Sequence, residues 1–87
     1  MAKIIFDWDV ENSDHVARHG ISTTEAESVV TNPRNDVSRS RSSGMPITFG
    51  RTKTGKYLAV VWVQTGSNPT KIRVVTAYEV EKPEGRP

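Results

Sequence analysis

A chain of 87 residues with 34% hydrophobic content and a formal net charge of +2 is long enough for one small domain, whose modest core leaves it marginally stable. It has no cysteine, which excludes a disulfide framework and a thiolate metal site. No run approaches the ~18 apolar residues of a membrane span, and the N-terminus turns acidic too early for a secretory signal, so a soluble cytoplasmic protein is expected.

In chain order, Lys3 to Trp8 alternates as a strand, with Ile4, Phe6 and Trp8 on one face. Asp9 is a good N-cap for a helix over Val10–His19, because its carboxylate can accept a first-turn backbone N–H. Glu11 and Asp14 lie near the positive end of that helix, and Arg18 and His19 near the negative end. Gly20 ends it as a left-handed residue. Ser22 and Glu25 have capping-box spacing and open a second helix over Thr23–Thr31, which Asn32-Pro33 closes.

From Asn35 the period becomes extended. Asp36–Ser40 reads as a polar edge strand, Arg41-Ser-Ser-Gly44 as a turn, and Pro46–Thr52 as a strand with Ile47 and Phe49 on one face. Thr54-Gly55 is a tight turn before Tyr57–Gln64, where Leu58, Val60 and Trp62 alternate with Tyr57, Ala59, Val61 and Val63. Gly66-Ser-Asn-Pro69 is another turn, and Lys71–Val80 is the last strand. The order predicts one α+β domain over residues 1–80: β-α-α, then an antiparallel meander of three to four strands with two helices on one face. Residues 81–87 read as a disordered C-terminal tail. Leu58–Val63 and Ile72–Ala77 are apolar on both faces, whereas one face of an antiparallel sheet is usually wet. The second face is therefore expected to be covered by a long loop, by the sheet curling on itself, or by a partner chain.

Charge is unevenly placed. Residues 1–33 sum to −4, residues 34–73 to +7 and the last fourteen to −1. A basic second half is a plausible phosphate-binding surface; the plainer reading is a solvated sheet edge whose lysines discourage aggregation. His15 and His19 share a helix face at a spacing that can bind zinc, but the metalloprotease glutamate is missing, and no metal or other cofactor is expected. Gly50-Arg-Thr-Lys-Thr-Gly55 has no helix behind it and reads as a hairpin rather than a phosphate loop.

What remains is a basic constellation. Arg51, Lys53 and Lys56 surround the turn, Lys71 and Arg73 lie on the last strand, and Arg18 and His19 end the first helix. Adjacent antiparallel strands could bring Arg51 and Arg73 to the same side of the sheet. Such a cluster can hold a phosphodiester and stabilise a phosphorane-like transition state. RNA carries its own nucleophile in the 2′-OH, so only a general base and acid are needed. His19, Glu79 and Tyr78 are the candidates. Each has a structural alternative: Glu79 a cross-strand ion pair, Tyr78 a strand aromatic, His19 a helix cap.

In order and spacing, Phe6-Asp-Trp-Asp9, Arg18-His19-Gly20-Ile21, Glu25-Ala26, Asn32-Pro33, Phe49-Gly50-Arg51-Thr52, Gly55 to Trp62 and Ile72 to Ala77 resemble the BrnT-type toxins of bacterial type II toxin–antitoxin modules. The resemblance runs over roughly residues 4 to 80. It implies a RelE-like fold and a metal-independent ribonuclease that halts translation, with RNA as substrate. It also implies a cognate antitoxin that neutralises the toxin, covers the second apolar surface and alone contacts operator DNA. It carries over His19, Arg51 and Arg73 as the best matches to family positions. Two departures stand out. Tyr78 occupies a position where many members have arginine, and Pro83, Gly85 and Pro87 forbid the basic C-terminal helix that members often have. The alternative is a non-catalytic RelE-like module that binds a partner protein or RNA.

Overall fold

The computed structural model describes residues 4–81. Lys3, at the start of the expected first strand, and residues 82–87 of the expected tail lie outside them. The elements are β1 (Ile4–Phe6), α1 (Val10–Arg18), α2 (Thr23–Thr31), β2 (Val37–Arg39), β3 (Pro46–Arg51), β4 (Tyr57–Ser67) and β5 (Thr70–Glu79).

The helix boundaries follow their caps. The Asp9 side chain accepts from the Asn12 backbone N–H at 3.1 Å while the Asn12 side chain accepts from the Asp9 N–H at 2.8 Å, so the first N-terminus carries a reciprocal box where the sequence suggested a single cap. Gly20, at φ +76°, adopts the left-handed conformation that stops α1. Ser22 and Glu25 form the expected box at the start of α2.

The sheet has five strands in the order β1-β5-β4-β3-β2. β2 to β5 form the expected antiparallel meander, but β1 joins β5 in parallel, so the sheet is mixed rather than purely antiparallel. β1 and β2 lie at opposite edges, and the two helices between them in sequence bridge the width of the sheet. β4 runs past the expected turn at Gly66, because a register irregularity between Gln64 and Gly66 absorbs the extra residue into the ladder. A second irregularity lies opposite Val75 on β5.

The main core lies between the helices and one face of the sheet. Val16, Ile21, Ala26 and Val29 pack on Leu58, Val60, Val74 and Ala77, flanked by Phe6, Trp8, Val30 and Trp62. Trp62 donates to Thr48 and Trp8 to Glu27, so both indoles keep a polar partner. The opposite face carries a smaller cluster of Ile47, Ala59 and Val61 with Met45 and Val80 at its margin. No helix residue belongs to this second cluster. Its centre is shielded by neighbouring side chains of the sheet and of the segment leading into β3, while Phe49 and Tyr78 stay partly exposed.

Candidate functional site

The site is assembled by a contact between α1 and β5. Beyond β1, the edge of β5 has lost its strand partner. Asn12 of α1 fills that gap: its buried carboxamide donates to the carbonyls of Asp7 at 2.9 Å and of Val74 at 3.0 Å. This fixes α1 beside β5 and directs its last two turns along the strand. His15 and His19 are one helical turn apart, with ring centroids separated by 5.6 Å. The His19 ring lies 6.4 Å from that of Tyr78. A helix-end histidine and a strand tyrosine, 59 residues apart in sequence, thus become neighbours.

Tyr78 also belongs to a row across the second face. In the register Phe49 pairs with Ala59 and Ala59 with Tyr78, so the three Cβ atoms project from the same side of β3, β4 and β5. Arg51 pairs with Tyr57 in the neighbouring row, and the Val80 N–H donates to the Tyr57 carbonyl. Phe49, Tyr57, Val80 and Glu81 line a shallow depression of about 210 Å³. The Arg51 guanidinium donates to the Gly55 carbonyl at 3.0 Å and has no carboxylate partner among the described residues. Gly50 beside it is required by packing, since a Cβ there would collide with the Asn35 carboxamide, which is itself held by the Val29 carbonyl.

Arg73 is placed elsewhere. It alternates with the buried Ile72 and Val74 and so falls on the same face as Arg51, as the sequence suggested. Its row, however, is that of Val63, whereas the row of Arg51 is that of Tyr57. Six residues of β4 separate them, about 20 Å at strand rise. Pairing brought the two arginines to one face without bringing them together. The Arg73 guanidinium binds Asp9 at 2.9 Å, with Asp7 at 3.6 Å and Glu11 at 3.8 Å. Its hydrogen bond to Asp9 raises its pKa; desolvation opposes that rise, and charge attraction to Asp9, Asp7 and Glu11 adds to it. The same bond, followed by the Asn12 backbone N–H, holds the Asp9 carboxyl below its ordinary value. Arg73 is thus tied to the N-cap of α1, and its charge is locally neutralised.

The other expected residues divide similarly. Lys56 donates to the Gly20 carbonyl at 2.9 Å and meets Glu25 at 3.4 Å, pinning the β3–β4 turn to the loop between the helices. The Ser22 backbone N–H, then Lys56, hold the Glu25 carboxyl below its ordinary value. Arg18, Lys53 and Lys71 are exposed and have no ion-pair partner among the described residues. Lys71 lies at the Arg73 end of β5. Glu79 stands opposite Leu58, on the side of the sheet away from Tyr78. Tyr78 and Arg51 therefore share one end of the second face, where His19 of α1 approaches Tyr78, and Arg73, Lys71 and Glu79 do not join them. His15, Phe49 and Tyr57 were absent from the expected site. The available signal for the two aromatics was the alternation that put Phe49 on one face with Ile47 and set Tyr57 apart from Leu58, Val60 and Trp62. Among the described residues, no three His, Asp or Glu side chains converge as a metal site, and no helix is long and apolar enough to cross a membrane.

The chain matches no protein-family model, and no curated protein is significantly similar to it.

Proposed function

We propose that this chain is an RNA-directed toxin of the type II class, with a RelE-like fold and a metal-independent endoribonuclease site at the His19–Tyr78 end of the second sheet face. The observation that carries this reading is the approach of His19 to within 6.4 Å of Tyr78, whose face also presents an Arg51 with no carboxylate partner among the described residues. Two strand spacings, about 10 Å, separate the strands of Arg51 and Tyr78, enough for one phosphodiester between their side chains. In the proposed reaction the His19 imidazole takes the proton of the 2′-OH, and the 2′-oxygen forms a bond to phosphorus. The P–O5′ bond breaks, and the leaving 5′-oxygen receives the Tyr78 phenolic proton. The products are a 2′,3′-cyclic phosphate and a 5′-hydroxyl. Arg51 stabilises the charge that accumulates on the non-bridging oxygens. A cognate antitoxin seated on the same face would block the site, and operator DNA would be met only through that antitoxin.

Expression of the chain should arrest growth, and purified protein should cleave single-stranded RNA without added metal. His19→Ala and Arg51→Ala should abolish both effects, whereas Arg73→Ala should weaken the fold rather than the chemistry. Harmless expression together with intact RNA would refute the enzymatic claim. One observation favours a second reading, RNA or partner binding without cleavage: Arg73, a site position implied by the family resemblance, is occupied by Asp9. That reading predicts RNA affinity that falls with salt while the strand stays whole.

A further inference from the structure

We infer that the Phe49–Ala59–Tyr78 row is a stacking platform for two unpaired nucleobases of a single-stranded RNA. The inference rests on the proposed RNA-directed function and deepens it, since it says how a strand is gripped beyond its phosphates. Three observations support it. Phe49 and Tyr78 are each 37% exposed, whereas the sheet aromatics Phe6 and Trp62 pack on the core beneath the helices. Between them Ala59 is fully buried, so the row is two rings with a low floor, about 10 Å across from β3 to β5. Beside the row, the depression lined by Phe49, Tyr57 and Val80 offers apolar wall to the edge of a base.

The charge beside the row selects the occupant. Arg51 lies one row along β3 from Phe49, and the His19 ring lies 6.4 Å from that of Tyr78 on the α1 side. Among the described residues, Glu81 is the one carboxylate lining the depression. A guanidinium without a carboxylate partner beside two open aromatic faces suits a polyanion whose bases have π-surfaces. It disfavours a second copy of this chain, which would bring its own Arg51 to the same face. Stacking accepts any base, so the platform predicts tolerance of sequence and a preference for unpaired over paired strands.

The test separates grip from cleavage by using a 2′-O-methyl hexanucleotide, which lacks the nucleophile, with binding read by fluorescence anisotropy over a salt series. Wild-type protein should bind it. Replacing two adjacent central nucleotides with abasic residues, which keeps every phosphate, should weaken binding at least tenfold. Phe49→Leu and Tyr78→Leu keep apolar volume and should each weaken binding by roughly tenfold with an unchanged salt slope. Tyr78→Phe should bind as wild type, and Arg51→Ala should reduce the salt slope by about one phosphate. If wild type binds but the abasic strand and both leucine variants bind equally well, the platform is wrong and RNA binding stands. If wild type binds no strand at low salt, both readings fall. A dimer in sedimentation that Phe49→Leu dissociates would assign the face to a second copy and overturn the inference.

Discussion

Replacing Asn12 by alanine should reveal what holds the candidate site together. The Asn12 carboxamide is buried and makes three hydrogen bonds, accepting from the Asp9 N–H and donating to the carbonyls of Asp7 and Val74. Among the described residues no buried side-chain polar atom lacks a partner, so the substitution removes bonds from a satisfied network. A net value of about 1 kcal/mol per hydrogen bond gives roughly 3 kcal/mol. The Asp7 and Asp9 groups lie near solvent and recover part of their loss, whereas the Val74 carbonyl is left buried and unpaired, which offsets that recovery. Against the ~5–15 kcal/mol that holds a typical domain, this is a large fraction. It should lower Tm by about 12–24 °C in a chain of this size. The assay is urea unfolding followed by circular dichroism, with an unchanged m-value showing that the transition is still all-or-none. Proton NMR contacts between the His19 and Tyr78 rings should weaken in parallel, since the Asn12 bond to Val74 adds to the Val16 packing that holds α1 against β5. Asn12→Asp should be worse than alanine at neutral pH, because its carboxylate would face two carbonyls. A loss under about 0.5 kcal/mol for Asn12→Ala, with the ring contacts intact, would refute the reasoning.

Three further outcomes are expected. Leu58 is fully buried in the cluster beneath the helices, and Leu58→Ala should cost about 2–5 kcal/mol in chemical denaturation. Gly50→Ala should destabilise by about 1–3 kcal/mol because its new Cβ meets the Asn35 carboxamide, and adding Asn35→Ala should recover part of that loss, giving a non-additive double-mutant cycle. Asp9 and Glu25 both have lowered folded-state pKa values, from ordinary values of 3.8 and 4.5. Their contributions are therefore fully present above those values and are lost as pH falls through the lower folded ones. Asp9→Asn keeps a capable N-cap but removes the charge paired with Arg73. Stability measured between about pH 2 and 4 should then vary less steeply with pH than in wild type.

Local sequence was enough for the ends of the helices. Asp9, Gly20 and the Ser22–Glu25 box act on backbone groups within one turn of themselves, so their meaning needs no distant partner. The alternation in Tyr57–Val63 was equally legible. It correctly separates Leu58 and Val60, which face the helices, from Ala59 and Val61, which face away. The length of β4 was not, because the ladder irregularity near Gly66 depends on the strand beside it.

The candidate site lay mostly beyond local reading. That Arg51 and Arg73 share a face follows from a period of two, but their separation along the strands is set by the register. Arg73 was legible as a cation on a strand. Its capture by Asp9 required β1 to lie parallel to β5 at the sheet edge, a pairing between the first and last strands. The meeting of His19 with Tyr78 depends likewise on Asn12 reaching the Val74 carbonyl, 62 residues away. Caps, turns and facial alternation are local chemistry, and this sequence determines them alone. Which charge is neutralised, which aromatic is left open and which helix end meets which strand are long-range consequences of register and packing, and only the tertiary structure decides them.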